Sequence, residues 1–243
     1  MRSLISLTHS LALAAACASS AHAAAPSGFT SLFNGKDLTG WEGNRTLWSV
    51  KDGVIDGRTT AEAPIKTNTF LIWKGGEVKN FELRVSFRFL DNNEKRTANS
   101  GVQYRSQVLD PAGWVVGGYQ ADMDAAGRYV GMLYEEKGRG ILAKPGEQVK
   151  LLPLDGRKAK IAVTGASAPA DKVSAAFKPD GWNDLVIVAN GNHLRHTLNG
   201  VVTADVTDED PAKAAVSGVV ALQIHVGPPM HIQFKDIRLR PLP

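Results

Sequence analysis

The chain has 243 residues, of which 43% are hydrophobic and 21% charged, with a formal net charge of +4, 24 Gly, 12 Pro and a single Cys. This is too apolar and too weakly charged for a disordered polymer, and too poor in cysteine for a disulfide scaffold or a zinc ribbon. A globular chain remains.

Met1-Arg2-Ser3, the apolar residues 4–16 and then Ala21-His22-Ala23 have the three-part layout of a secretory signal, with cleavage predicted after Ala23. That leaves 220 residues, 24–243, a length that suits one large all-β domain better than two small ones. Anchoring as a lipoprotein through Cys17 is the weaker reading, because a larger apolar residue is needed three positions earlier and Ala14 stands there. A mature chain without cysteine tolerates an oxidising compartment, and no second apolar stretch approaches the roughly 20 residues of a membrane helix. The expected location is therefore periplasmic or secreted, with no membrane span. Losing Arg2 takes the charge to +3, spread along the chain, which argues against nucleic acid as a partner.

Turn pairs recur at short intervals, from Asn34-Gly35, Asp52-Gly53 and Asp56-Gly57 to Asn190-Gly191 and Asn199-Gly200. The first strand is expected at residues 48–55. In residues 81–89 every odd position is apolar and every even one polar, so one face meets a core and the other water. Further strands are expected at 100–106, 119–124, 183–189, 193–198, 219–226 and 231–240. Residues 144–173 and 207–217 lack this rhythm and read as long loops, with a helical turn near 211–215. The pattern predicts an all-β, jelly-roll sandwich of two antiparallel sheets, with neither linker nor internal repeat.

Three of these strands, and a fourth segment at residues 131–140, carry polar residues unusual for a plain solvent face. Gln120, Asp122 and Asp124 alternate with Tyr119, Ala121 and Met123, although Asp is depleted inside strands. Gln103 and Arg105 share a face with Gly101, which would leave room for a ligand to approach the backbone. Gln223 and His225 share a face opposite aliphatic neighbours. Tyr134 precedes Glu135 and Glu136 at a strand end, and at most one of these adjacent carboxylates can share the face of a site. Carboxylates, amides and aromatics together complement sugar hydroxyls and ring faces. Trp41, Trp73, Trp114 and Trp182 are available as platforms, with Trp48 and Trp182 expected in the core.

Residues 29–41 (FTSLFNGKDLTGW), 48–55 (WSVKDGVI), Asn99-Ser100-Gly101, Gly118-Tyr119-Gln120, Trp182-Asn183, Leu198-Asn199-Gly200 and Leu222-Gln223-Ile224-His225 resemble, in order, the signature stretches of the 3-keto-disaccharide hydrolase domain family. The resemblance covers nearly all of the mature chain. It implies a concanavalin-A-like jelly roll, usually exported, whose concave sheet takes an oligosaccharide or glycoside. It also implies hydrolysis of glycosides whose C3 hydroxyl a partner oxidoreductase has oxidised to a ketone. The ketone acidifies the proton on C2, the C1 substituent leaves by elimination, and water adds to the enone.

That chemistry needs a base near C2, an electrophile at the C3 oxygen and an acid for the leaving group. The catalytic candidates are His225 or Glu135 as base and Asp122 or Asp124 as acid. Arg105 is the candidate electrophile, and Gln103, Gln120, Tyr134 and Gln223 are candidates for binding substrate. A divalent metal held by His225, Asp122 or Asp124, and Glu135 is an alternative electrophile, although no local metal motif exists. Family members often carry Glu where this chain has Gln120, which cannot transfer a proton. The role then moves to Asp122 or Asp124, or the chain binds without cleaving. A conventional glycoside hydrolase and a non-catalytic carbohydrate-binding module are the competing readings. For the first, acids two apart on a strand have alpha carbons roughly 6.6 Å apart, and the leading acid of the usual three-acid strand is missing.

Overall fold

The computed structural model describes residues 27–90, 95–156 and 158–243. The expected signal, its cleavage point and Cys17 lie outside the described residues. In chain order the strands are Thr30–Ser31 (β1), Trp41–Glu42 (β2), Trp48–Lys51 (β3), Val54–Arg58 (β4), Thr69–Trp73 (β5), Phe81–Leu90 (β6), Asn99–Asp110 (β7), Val115–Asp124 (β8) and Leu133–Glu136 (β9). They continue with Gly140–Ala143 (β10), Glu147–Leu152 (β11), Lys160–Ala166 (β12), the helix Ala170–Ala176 (α1), Asn183–Asn190 (β13), His193–Leu198 (β14), Val201–Asp208 (β15), Val219–Ile224 (β16) and His231–Pro241 (β17).

The strands form two sheets. One has ten strands in the order β12-β11-β15-β14-β13-β6-β17-β4-β3, with β1 on β17. The other has seven, in the order β10-β9-β8-β7-β16-β5-β2. Alternation sets which side chains lie between them: Leu83, Val85 and Phe87 from β6, Val102 and Tyr104 from β7, and Tyr119 and Ala121 from β8 are all in the core. The jelly-roll sandwich expected from the sequence is the observed architecture. It is not wholly antiparallel, since β11 runs parallel to β15.

Two polar links cross the core. The Tyr104 hydroxyl and His196 Nε2 are 2.8 Å apart, and His196 Nδ1 lies 3.2 Å from the carbonyl of Gly131. Complete burial holds the His196 pKa at about 4, so the ring is neutral, donating to Gly131 and accepting from Tyr104. The second link joins Tyr119 and Arg139 to Asp208 on β15.

Several expectations change in the structure. Residues 48–55 are a hairpin of β3 and β4 about Asp52-Gly53, not one strand. Residues 144–173 contain β11, β12 and the start of α1. β12 is an edge strand with nearly every side chain exposed, so no burial pattern marks it. β5 was also illegible by alternation, because both its faces are covered: Leu71 meets the main core, while Phe70 and Ile72 join Val116 and Ala221 on the other side of the sheet. The turn near 211–215 exists, closed by Ala214 N–H donating to Asp210 O at 2.8 Å.

The extra cover over β5 comes from the β7–β8 hairpin. A register shift between Tyr104 and Gln107 bends it, and its tip reaches β5, where Phe70 N–H donates to Trp114 O at 3.0 Å and the Thr69 hydroxyl to Gly113 O at 3.1 Å. The hairpin thus folds over part of the outer face of the seven-stranded sheet. The polar residues of the site occupy the remainder.

Candidate functional site

Gln120, Asp122 and Asp124 leave β8 on the side opposite Tyr119, Ala121 and Met123, and all three are buried. In the register of β16, β7 and β8, Leu222 faces Val102 and Gly101 faces Asp122. Gln223, Gly101 and Asp122 therefore share one cross-strand row. His225, just beyond β16, shares the next with Asn99 and Asp124.

Gly101 leaves a gap in the first row, and Gln120 fills it. A Cβ on Gly101 would stand 2.4 Å from Gln120 Cδ. The expectation that Gly101 makes room for a ligand is corrected: it makes room for this side chain. Gln120 Nε2 donates to Asp122 Oδ1 at 3.0 Å and to Gln223 Oε1 at 3.3 Å. Gln120 Oε1 accepts from Gln103 Nε2 at 2.8 Å, and Gln103 Oε1 accepts from the Ser106 hydroxyl at 2.5 Å. Three strands are joined by this chain of amides, which ends on a carboxyl group.

Burial raises the pKa of Asp122 to about 7, with Asp124 and Glu136 adding to the rise and the bonds from Gln120 and the Met123 N–H opposing it. A carboxyl with that pKa can hold or release a proton at neutral pH. Asp124 is more committed. Its Oδ1 accepts the Tyr129 N–H at 2.7 Å and its Oδ2 lies 3.4 Å from Arg128 Nε.

Of the adjacent glutamates, Glu136 faces the site and Glu135 does not. Gln120 pairs with Tyr134 and Tyr119 with Glu135, so alternation puts half-buried Tyr134 and buried Glu136 on the Gln120 side. Asn68 Nδ2 lies 3.3 Å from both oxygens of Glu136, while its Oδ1 accepts the Val226 N–H at 2.9 Å. Asn68 thereby ties Glu136 to the segment carrying His225. The assignment of Glu135 as a base is corrected: it lies on the Tyr119 side, where Arg139 Nε donates to it at 2.7 Å and Arg139 also holds Asp208 at 2.6 Å.

Arg105 also departs from expectation. Its φ is +46° within the register shift of β7, which removes it from the alternation that would have set it beside Gln103. The buried guanidinium instead donates to the carbonyls of Lys79 (2.7 Å), Gly191 (2.6 Å) and Ala215 (3.2 Å) and to Asn80 Oδ1 (3.2 Å). It clasps loops together and does not face the Asp122 row.

The donor set expected for a divalent cation does not assemble, since Glu135 lies on the other side of the sheet and Asp124 is engaged by Tyr129 and Arg128. Among the described residues no group of three or more His, Cys, Asp or Glu is arranged to hold a metal ion. Nor do the tryptophans stand over the acids. Trp41 is in the core, donating to Leu32 O at 2.8 Å, and half-buried Trp73 packs against the core. Trp114 packs beside Phe70 and Ile72. Trp48 is in the core as expected, whereas Trp182 is half-buried, with Arg88 and Lys235 at 4.6 and 4.4 Å from its ring centroid.

Two cavities border this region, one lined by Glu136 and the other by Arg128. One of about 380 Å³ is lined by Gln107, Leu109, Gly118, Glu135, Glu136 and Arg139, among others. Another of about 600 Å³ has largely apolar walls, including Val173, Phe177 and Leu198, and contains Arg128, the partner of Asp124. Both are of a size that suits a small ligand. Sequence reading could restrict the face to one of Glu135 and Glu136 but needed the β8–β9 register to choose. Asn68 gave no signal at all, because its role depends on two strands distant in sequence.

No helix among the described residues is long and apolar enough to cross a membrane. Among solved structures, a candidate glycosyl hydrolase from Parabacteroides distasonis matches 88% of this chain and 99% of its own, at 20% identity and a TM-score of 0.55. The carbohydrate binding module CBM66 from Bacillus subtilis matches 83% of this chain and 95% of its own, at 15% identity and a TM-score of 0.54. A Bacillus subtilis protein of unknown function with a galectin-like fold matches 84% and 90%, at 8% identity and a TM-score of 0.52. At these identities the likeness is one of fold. No curated protein matches the sequence. Residues 28–240 match the model of the 3-keto-alpha-glucoside-1,2-lyase-like domain, and with it spanning most of the sequence, the chain belongs to that family.

Proposed function

We propose that this chain cleaves 3-keto-glycosides by elimination and rehydration, with Asp122, Glu136 and His225 as its proton-handling groups. The observation that carries the reading is the buried Asp122, which titrates near neutrality on the same face as Glu136, within a strand system that belongs to a 3-keto-glucoside lyase-like family.

A base removes the proton on C2, and the electron pair of the broken C–H bond forms the C2–C3 double bond of an enolate as the C3 oxygen takes the negative charge. Collapse of the enolate restores the carbonyl, makes a C1–C2 double bond and breaks the bond from C1 to the leaving oxygen. That oxygen takes a proton from an acid. Addition of water then places hydroxyl on C1 and hydrogen on C2. His225 is suited to the base role, being half-buried and making no hydrogen bond to another described residue. Asp122 is suited to the acid role because it retains its proton up to about pH 7. Glu136, held by Asn68, contributes a second carboxylate for hydroxyls or for activating water. Gln120 transfers no proton and orients Asp122 instead.

In the same reading residues 24–243 form one exported domain released by cleavage after Ala23, and a partner oxidoreductase supplies the ketone. The test is an assay of methyl 3-keto-α-glucoside beside methyl α-glucoside with purified protein. Turnover of the ketone alone is expected, and Asp122→Asn and His225→Ala are each expected to lower it roughly 100-fold. Equal turnover of both glycosides points to a conventional hydrolase, and binding of either without turnover points to a carbohydrate-binding module. Either result overturns the proposal.

A further inference from the structure

The amide chain has a direction, and that direction leaves one buried donor without a partner. Gln120 turns its Nε2 toward Asp122 Oδ1, which accepts whether Asp122 is ionised or carries its proton on the other oxygen, and its Oε1 toward Gln103. Gln103 must then present Nε2 to Gln120 and Oε1 to Ser106, whose hydroxyl supplies the closing proton. The second Nε2 proton of Gln120 goes to Gln223 Oε1, which turns Gln223 Nε2 away from the chain. Gln223 is fully buried, yet its Nε2 meets no acceptor. In the adjoining row, on the neighbouring strand, Asn99 Oδ1 is likewise buried without a donor.

An unpaired buried donor and an unpaired buried acceptor are each costly, and native structures rarely keep them empty. A carbonyl oxygen would satisfy the first and a hydroxyl group the second. We infer that Gln223 Nε2 donates to the C3 ketone oxygen of the substrate, while Asn99 Oδ1 accepts from a neighbouring hydroxyl, making this pair the element that recognises an α-hydroxyketone. The inference rests on the 3-keto-glycoside reading and deepens it. Gln223 takes the position the sequence had suggested for Arg105. Its N–H bond strengthens as the ketone gains negative charge in the enolate, so it stabilises the transition state more than the ground state. Ser106, Gln103 and Gln120 are positioning residues, since each acts on the ketone only by fixing the orientation of the next amide.

The experiment compares binding of 3-keto-glucose and glucose by calorimetry, together with turnover of methyl 3-keto-α-glucoside, in wild type and in Gln223→Met and Gln223→Glu. Wild type is expected to prefer the ketose-type ligand by at least roughly tenfold, the worth of one directed hydrogen bond. Gln223→Met is expected to lose that preference and to lower kcat roughly 100-fold, as removal of an oxyanion donor does. Gln223→Glu is expected to invert the preference, because its carboxylate accepts from the C3 hydroxyl of glucose and repels the ketone. Thermal unfolding of each variant separates these results from loss of the fold. Should neither variant fold, Ser106→Ala carries the test, since losing the closing proton frees the amides to flip and is expected to erode the preference without removing any group near the sugar. A preference retained in folded Gln223→Met, or in Ser106→Ala where only that variant folds, overturns the inference while wild-type turnover keeps the family reading intact. Wild type that neither binds nor cleaves the ketone overturns both.

Discussion

Glu135 and Glu136 are neighbours in sequence but lie on opposite faces of the same sheet: Glu135 is held at 2.7 Å by Arg139 on the Tyr119 side, and Glu136 by Asn68 at 3.3 Å on the Gln120 side. The period of two in a strand separates an ion-pair network from a candidate catalytic carboxylate by a single residue. Gly138 belongs to the first arrangement, since a Cβ there would stand 2.5 Å from Glu135 Oε2 and the turn needs the space to close on that carboxylate.

The pair makes a clean contrast for mutation. Glu136→Gln is expected to lower turnover of a 3-keto-glucoside roughly 100-fold with little change in melting temperature. Glu135→Gln is expected to leave kcat within a factor of a few and to cost about 2 kcal/mol, because it weakens charge-assisted bonds to a buried guanidinium that keeps Asp208. Denaturant titration and steady-state kinetics on both variants decide the matter. The opposite pattern would return Glu135 to the mechanism.

Arg105 supports a second contrast, between scaffold and site. Its guanidinium satisfies three carbonyls and the Asn80 side chain, so Arg105→Met takes the guanidinium donor from all three carbonyls and leaves Asn80 Oδ1 only the Gly191 N–H. A loss of about 3 kcal/mol or more is expected in urea unfolding, with kcat of the folded fraction unchanged. A drop in kcat at full stability would instead place this side chain in contact with substrate.

Gly101 tests whether the packing of Gln120 matters. The Cβ of Gly101→Ala would overlap the Gln120 amide, the nearest atom being 2.4 Å away, so Gln120 must leave its position between Asp122 and Gln223. The backbone there is extended and tolerates alanine, so a stability cost of about 1–3 kcal/mol from overpacking is expected. Turnover is expected to fall by more than tenfold, because Asp122 and Gln223 both lose their orienting partner. Gly101→Ala with normal kcat would show that the amide chain has no part in the reaction.

The legibility of this molecule follows from where alternation holds. β6, β8 and β14 each contain a run that alternates apolar and polar side chains, with the apolar set in the core, and their positions could be read within a residue or a few of their ends. β5 buries both faces and β12 neither, so both lacked the pattern that marks a strand. The same rule governs the site. Gln103, Gln120, Asp122, Asp124 and Gln223 obey simple alternation and share the expected face. Arg105 fails because the bulge after Tyr104 breaks the alternation at that residue, and a positive φ at arginine leaves no trace in composition. The folded-over hairpin that covers part of the sheet depends on contacts between Trp114 and Phe70, 44 residues apart, which no local pattern encodes.

The last expectation concerns pH, where two buried groups act in opposition. Asp122 has a native pKa of about 7 against 3.8 for the free side chain, so between these values the native state holds a proton that the unfolded chain has released. Stability therefore falls as pH rises through this window, by on the order of 4 kcal/mol in total. His196 has a native pKa of about 4 against 6.5, so between these values the unfolded chain holds the extra proton. Its contribution is complete above pH 6.5 and is lost as pH falls toward 4, by on the order of 3 kcal/mol. The two slopes largely cancel between pH 4 and 6.5. Asp122→Asn removes only the first, so the variant is expected to gain stability over wild type as pH rises from 4.5 to 7.5 and to lose stability steeply on acidification. Urea unfolding of both proteins at several pH values measures the difference, in which all other titrating groups cancel. Parallel curves would mean that Asp122 ionises normally in the folded chain, and it would then have no proton to give a leaving group at neutral pH.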